Sequence, residues 1–108
     1  MNILLCCAMG ISTSIVVQSM KKVAKAQGKN YKIWAIDADS VDEEDEKIDV
    51  VLVGPQVSHK VEEVKELLDD DSIPVAVMNP QDYGKCNGEA ILKFAEELVS
   101  KNKKRKDV

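Results

Sequence analysis

The sequence predicts an α/β fold: a four-stranded parallel open sheet with helices on both faces. Three observations carry this. Short apolar runs alternate with segments of helical period, the runs lack the polar alternation of a half-wet strand, and glycine or proline marks the joins. The chain's 108 residues match the size of one domain with one core.

Asn2 to Cys6 (NILLC) reads as a strand buried on both faces, running into a turn at Ala8, Met9 and Gly10. From Ser12 the period changes. Val16, Met20, Val23 and Gln27 share one helical face, with Ile15 and Ala24 beside them, Ser12 as cap and Gly28 as stop. Tyr31 to Ala38 is a second strand and Ile48 to Val53 a third, closed by Gly54 and Pro55; the connection from Ser40 to Lys47 holds at most one helical turn. Val57, Val61, Val64 and Leu68 then repeat at helical spacing, with Glu62, Glu63, Lys65 and Glu66 on the wet side. Ile73 to Met78 is the fourth strand. A last helix from about Asn87 to Ser100 has Ile91, Phe94, Ala95 and Leu98 as its dry side. Right-handed crossovers make 2-1-3-4 the economical strand order. That order reverses beside the first strand, where open α/β sheets bind ligands outside their carboxyl ends, and Cys7 lies at that point.

Composition removes several classes of function. Four aromatic residues and a net charge of -4 argue against a nucleic-acid partner. No apolar run approaches the roughly 20 residues of a membrane span, and no basic segment precedes the first apolar run as in a signal peptide, so a cytoplasmic protein is expected. The three cysteines, two of them adjacent, read as reduced thiols. His59 and Cys86 lack neighbours at metal-ligand spacing, so neither a metal nor another cofactor is expected. The acidic run from Asp42 to Glu46 reads as a wet connection. The basic stretch from Lys101 to Val108 reads as a disordered tail, which leaves residues 1–100 as the domain.

The segment CAMGIST, Cys7 to Thr13, carries the chemistry. It is short enough to turn its backbone amides toward one centre and leads into a helix whose first N–H groups lack internal acceptors, an arrangement suited to a phosphate dianion. The same field favours a thiolate, so Cys7 is the candidate nucleophile. Gly10 gives the loop its conformational freedom, and Ser12, Thr13 and Ser14 supply hydroxyls for capping and for a bound oxygen. Cys6, whose side chain points to the opposite face, reads as core. At the other strand ends, the Gln56 amide is a candidate contact to a partner or to the loop. Tyr83 either packs over and hydrogen-bonds to that loop or simply fills an edge. His59 reads as a solvated histidine.

The stretches LLCCAMGISTS, VVLVGPQV and YGK together resemble the IIB component of the bacterial sugar phosphotransferase system, in its lactose, cellobiose and chitobiose branch, over about residues 1 to 100. The resemblance implies a phosphocysteine at Cys7, charged by a phosphohistidine of the IIA component. The phosphoryl group would then be handed to a sugar, a β-linked disaccharide of cellobiose, chitobiose or lactose type, imported by the IIC membrane component. It also implies a phosphate loop from Ala8 to Thr13, a hydroxyl-bearing helix start at Ser12 to Ser14, and the 2-1-3-4 sheet of the low-molecular-weight phosphatase fold. Several members of the family have serine where this chain has Ala8, which leaves more to the backbone amides and Thr13.

Two other classes share some of these features. Low-molecular-weight tyrosine phosphatases and the arsenate reductases of that type also set a cysteine and an oxyanion loop after the first strand. They have arginine six positions beyond the cysteine, where this chain has Thr13, although Asp82 stands where a phosphatase acid would. A non-catalytic α/β binding module would have to treat CAMGIST as an incidental loop.

Overall fold

The computed structural model describes residues 1–7 and 11–106, with the backbone alone for 11, 12 and 103–106. In chain order the elements are β1 (Asn2–Cys7), α1 (Ile11–Ala26), β2 (Lys32–Asp37), β3 (Val50–Val53), α2 (Val61–Leu68), β4 (Val75–Val77), α3 (Pro80–Gly84) and α4 (Gly88–Lys106). Two 3₁₀ segments, Ala38–Glu43 and Pro55–Lys60, follow β2 and β3. The sheet has the order β2-β1-β3-β4 with every pair parallel, as the alternation of elements predicts.

β1 is paired on both sides, to β2 from Asn2↔Lys32 to Cys7↔Asp37 and to β3 from Ile3↔Val50 to Cys6↔Val53. Its alternate side chains feed two cores. Ile3 and Leu5 join Val16, Val17 and Met20 of α1 and Ile91, Leu92 and Ala95 of α4. Leu4 and Cys6 join Val51, Val53, Val57 and Val64 on the other face, beneath α2 and the two 3₁₀ segments.

Several boundaries differ from those the pattern predicts, each for a local reason. α1 begins at Ile11, so Ser12 stands inside its first turn rather than at the cap. Its end at Ala26 is the expected one. Gly28, at φ 72°, donates to Lys25 O while Lys29 donates to Ala24 O, the paired bonds of a Schellman stop. Ile15 lies off the buried face and is 53% exposed. The helix expected from Val57 starts only at Val61, because Val57 turns out of helical geometry (φ -119°, ψ 28°) and drops into the core. β4 starts after Pro74, which has no N–H to give the ladder but accepts from Val51 N at 2.9 Å. α3, which apolar periodicity does not reveal, is started by Pro80 and capped by Asn79, whose side chain accepts from Gln81 N and Asp82 N.

The basic stretch expected to be disordered is helical as far as Lys106, in continuity with α4. Lysine is a good helix former, cations offset the partial negative charge at a helix C-terminus, and Asn102 is tied to Ser72 O at 2.5 Å. Asp107 and Val108 lie outside the described residues. The acidic run is also ordered. Glu44 accepts from the Trp34 indole at 2.9 Å and Glu46 pairs with Lys32 at 2.7 Å, and the bonds from Trp34 and from the Glu46 amide hold Glu44 below the usual carboxylate range.

Two contacts lock α4 in place. At its start, Ser19 Oγ donates to Cys86 O (2.9 Å) and accepts from Gly88 N (3.1 Å). A Cβ on Gly88 would lie 2.4 Å from Ser19 Oγ and 2.6 Å from the Ser19 carbonyl carbon, so only glycine permits this approach. Further along, Glu96 accepts from Lys29 Nζ (2.5 Å) and from Tyr31 OH (2.7 Å). Burial opposes the Glu96 charge, but these two donors outweigh it and hold the group below the usual carboxylate range.

Gly88→Ala should lower stability by about 2–3 kcal/mol in a urea titration, since the clash is with backbone as well as side chain; an unchanged midpoint would show that the helices separate freely. Glu96→Gln should cost about 0.5–1 kcal/mol at pH 7. Because the folded value is depressed, the Glu96 contribution is present above the unfolded carboxylate value and fades as pH falls through the folded one. The gap between Glu96→Gln and the unsubstituted protein should therefore close in acid, as urea titrations across pH would show.

Candidate functional site at the carboxyl end of β1

β1 delivers two adjacent thiols to opposite faces. Cys6 is fully buried, and its pKa is pushed up to about 12, chiefly by burial and then by the charges of Cys7 and Asp37, so it stays a thiol at neutral pH. Cys7, the last residue of the strand, is 8% exposed, and its Sγ lies 3.7 Å from Ile36 O of β2, near enough for a weak S–H···O bond. Cys86 is a third free thiol, half-buried in the turn between α3 and α4 at φ 53°.

Two neighbours fix the surroundings of Cys7. On the β2 side stands Asp37, its register partner. The Asp37 carboxylate caps the following 3₁₀ segment by accepting from Asp39 N at 2.9 Å. On the β3 side stands Gly54, whose N–H donates to Cys6 O at 2.8 Å. A Cβ on Gly54 would lie 3.9 Å from Cys7 Cβ and 3.3 Å from Gln56 Oε1. The exposed Gln56 side chain therefore comes back over Gly54, which is also a neighbour of Cys7. Lys60 pairs with Asp39 at 2.9 Å and so ties together the segments that follow β2 and β3, the two neighbours of β1.

α1 and α3 meet at the same end of the sheet. Thr13 is 2% exposed, and its hydroxyl shares a 2.8 Å hydrogen bond with the phenol of the buried Tyr83. Tyr83, read from the sequence either as packing over and bonding to the loop or as edge packing, is buried in the core on the α1–α4 side and bonds to Thr13 of α1. Ser14 is exposed on the next position of α1. Asp82 is half-buried in the first turn of α3, and His59 is exposed in the second 3₁₀ segment. Ala8, Met9 and Gly10, and the side chains of Ile11 and Ser12, lie outside the described residues, so the centre of the expected phosphate loop does too. Among the described residues no three His, Cys, Asp or Glu side chains converge as metal ligands, and no helix is long and apolar enough to cross a membrane.

Asp37 and Gly54 are the members of this environment that sequence reasoning passed over. The signal for Asp37 was present, since it is a carboxylate closing an apolar strand that the 2-1-3-4 order sets beside Cys7. Gly54 read as a turn former, but at φ -63° it needs no special backbone freedom. A Cβ there would meet Cys7 at ordinary contact distance and press only on the end of the Gln56 side chain, which can shift.

Fold and site together define an open α/β protein that presents a thiol at the point where the strand order reverses. Residues 2–94 match the family described as the lactose/cellobiose-specific IIB subunit of the PTS system, and the chain belongs to that family, a phosphotransferase component of sugar transport. It is 37% identical over 98 residues to the oligo-beta-mannoside-specific EIIB component of Bacillus subtilis, covering 91% of this chain and 95% of that protein. It is 38% identical over 103 residues to the galactose-specific EIIB component of Lactococcus lactis subsp. cremoris, with the same coverage of 91% and 95%. Among solved structures, the cellobiose-specific IIB component of Borrelia burgdorferi superposes with a TM-score of 0.77 at 37% identity over 94% of each chain. The lactose-specific IIB domain of Streptococcus pneumoniae, at 15% identity and a TM-score of 0.73 over 91% of this chain and 96% of that one, shares the fold. That fold is the low-molecular-weight phosphatase type.

The Thr13–Tyr83 bond gives a direct test of how α1 is held to α3. Tyr83→Phe and Thr13→Val should each cost about 1 kcal/mol, the worth of the bond the two hydroxyls share. The double variant should cost less than the sum of the two, as a double-mutant cycle in urea would reveal. Additive losses would show that the two hydroxyls act independently.

Proposed function

We propose that this chain is the phosphoryl carrier of its transport system, working at the cytoplasmic face of the membrane. Cys7 takes a phosphoryl group from a phosphohistidine of a IIA protein and gives it to a β-linked disaccharide, of cellobiose, chitobiose or lactose type, that a IIC permease presents. The observation that carries the reading is Cys7 itself, a barely exposed thiol ending the central strand of a IIB-family fold, while its neighbour Cys6 is sealed in the core.

The chemistry balances in two displacements. In the first, Cys7 Sγ attacks phosphorus, the P–N bond to the histidine breaks with its electron pair going to the imidazole nitrogen, and the thiol proton ends on that imidazole. In the second, a sugar hydroxyl attacks phosphorus, the S–P bond breaks, and the hydroxyl proton returns to the thiolate. The backbone amides from Ala8 to Ile11 and those of Ser12 and Thr13 act on the phosphoryl oxygens, aided by the Ser12 and Ser14 hydroxyls and by the α1 N-terminus. Thr13, bonded to Tyr83, holds the first turn of α1 in position for this. Gln56, beside Gly54, is a contact for the incoming partner or for the loop. With Thr13 where phosphatases have arginine, no guanidinium draws hydrolytic charge onto the equatorial oxygens, so the phosphocysteine lasts until a sugar arrives.

Ile15 fits a docking role for the protein partners. It is the one large apolar side chain strongly exposed among the described residues, and it lies one position beyond Ser14 on the helix that starts at the site. Ile15→Lys should leave the melting temperature within a degree or two while slowing transfer from IIA.

Incubation with a phosphorylated IIA protein, followed by mass spectrometry of the modified peptide, should locate the phosphoryl group on Cys7. Cys7→Ser should abolish acceptance with the fold intact, whereas Cys6→Ser and Cys86→Ser should retain it. Full phosphorylation of Cys7→Ser, or label on Cys86, would sink the assignment.

A further inference from the structure

Granting the carrier role of Cys7, we propose that Asp37 sets how strongly the domain holds its phosphoryl group. The carboxylate is placed to repel the phosphocysteine dianion and so keeps the group transferable.

Geometry carries the argument. Cys7 and Asp37 are register partners at the carboxyl ends of adjacent parallel strands, which run about 4.8 Å apart with partner side chains on one face of the pleat. In the resting protein Cys7 Sγ leans to this side, 3.7 Å from Ile36 O, the carbonyl that precedes Asp37. A thiol can donate to that carbonyl and a phosphorylated sulfur cannot. Phosphoryl acceptance therefore removes a weak hydrogen bond and puts a dianion on a sulfur that neighbours the end of β2 and its carboxylate.

The Asp37 charge is also poorly neutralised. Its side chain accepts from Asp39 N, but among the described residues no cation pairs with it. Lys60 is within electrostatic reach, yet its ammonium is taken by Asp39 at 2.9 Å. The charge of Asp37 is felt at Cys6, where it adds to burial and to Cys7 in disfavouring ionisation. Asp37 thus has two separable tasks. The cap needs only an acceptor oxygen, which Asn or Ser also supplies, while the repulsion needs the charge.

The quantity at stake is the equilibrium between phosphohistidine plus thiol and imidazole plus phosphocysteine, in which an S–P bond replaces a P–N bond and the thiol proton passes to the imidazole. A carboxylate beside the product dianion moves this balance toward the donor and, by the same amount, favours discharge to a sugar hydroxyl. For neighbouring strand ends partly open to water, the effect is roughly three- to tenfold in the equilibrium constant at low salt, and less as ionic strength rises.

The test equilibrates the full chain with a phosphorylated IIA protein of a cellobiose-type system and measures the fraction of phosphocysteine on intact protein by mass spectrometry. Asp37→Asn and Asp37→Ser, both uncharged caps, should raise the equilibrium constant by that factor at low salt and converge on the unsubstituted protein at high salt. Asp37→Glu should stay close to the original value. An equilibrium constant unchanged in both uncharged variants, or changed equally at all salt concentrations, overturns the role of Asp37. Absence of phosphoryl transfer to Cys7 in the unsubstituted protein overturns the carrier reading beneath it, and the two failures are told apart by that control.

Discussion

The structure depends on the double pairing of β1. A strand hydrogen-bonded on both edges and covered on both faces has almost no freedom in register, since a slip of one residue would exchange the whole of one core for the other. Ile3 and Leu5 are committed to the α1–α4 side, and Leu4 and Cys6 to the α2 side. That commitment decides which of two adjacent, chemically identical thiols meets the outside. Cys6 is drawn into the interior by the same alternation that leaves Cys7 at the rim. No difference between the two residues themselves is needed to place one in the core and the other at the strand end.

The surroundings of Cys7 are uneven in a way that follows from topology. On one side lie the end of β2, its carbonyl at Ile36 and the Asp37 carboxylate, all oxygen acceptors. Toward α1 lie the N–H groups of a helix start, which are donors. A carrier has to bind a phosphoryl group firmly enough to receive it and loosely enough to part with it. A site walled by donors alone would suit storage, and one walled by acceptors would refuse the group. On the carrier reading, the central strand sets its sulfur on the border between the two because its neighbours are a strand end and a helix start.

Much of this was legible before any coordinates, and the limits have physical causes. The strands with long unbroken apolar runs and the helices with full apolar periods were readable because burial on two faces, or on one stripe, constrains every residue in the segment. Cys7 stood out as a candidate because a thiol, a glycine and three hydroxyls at a strand-to-helix join form a pattern that packing alone does not demand. What escaped was set by single contacts. α3 is five residues long and rests on an Asn79 cap and Pro80 rather than on an apolar stripe. The late start of α2 depends on where Val57 finds space, and the extension of α4 joins lysine's helix propensity to an Asn102 bond to Ser72 O that only the fold supplies. Gly54 read as turn punctuation because its clearance from Cys7 is a property of three-dimensional neighbours. Asp37 is set beside Cys7 by strand register across 30 positions of chain, which spacing along the sequence does not display.

The hydroxyl pair of Thr13 and Tyr83 spans 70 positions of sequence. Contacts that distant close only after most of the chain is ordered, because their loop-closure entropy is offset only by the structure that forms in between. β1, α1 and β2 are contiguous in sequence, yet β1 also pairs with β3 and α1 also packs on α4, so the nearest segments do not complete the surroundings of the thiol by themselves. The bond that steadies the helix behind it waits for β3, β4 and α3 to be laid down in turn. The setting at the end of β1 is therefore a property of the whole domain: it draws on elements from both ends of the chain and has no local version.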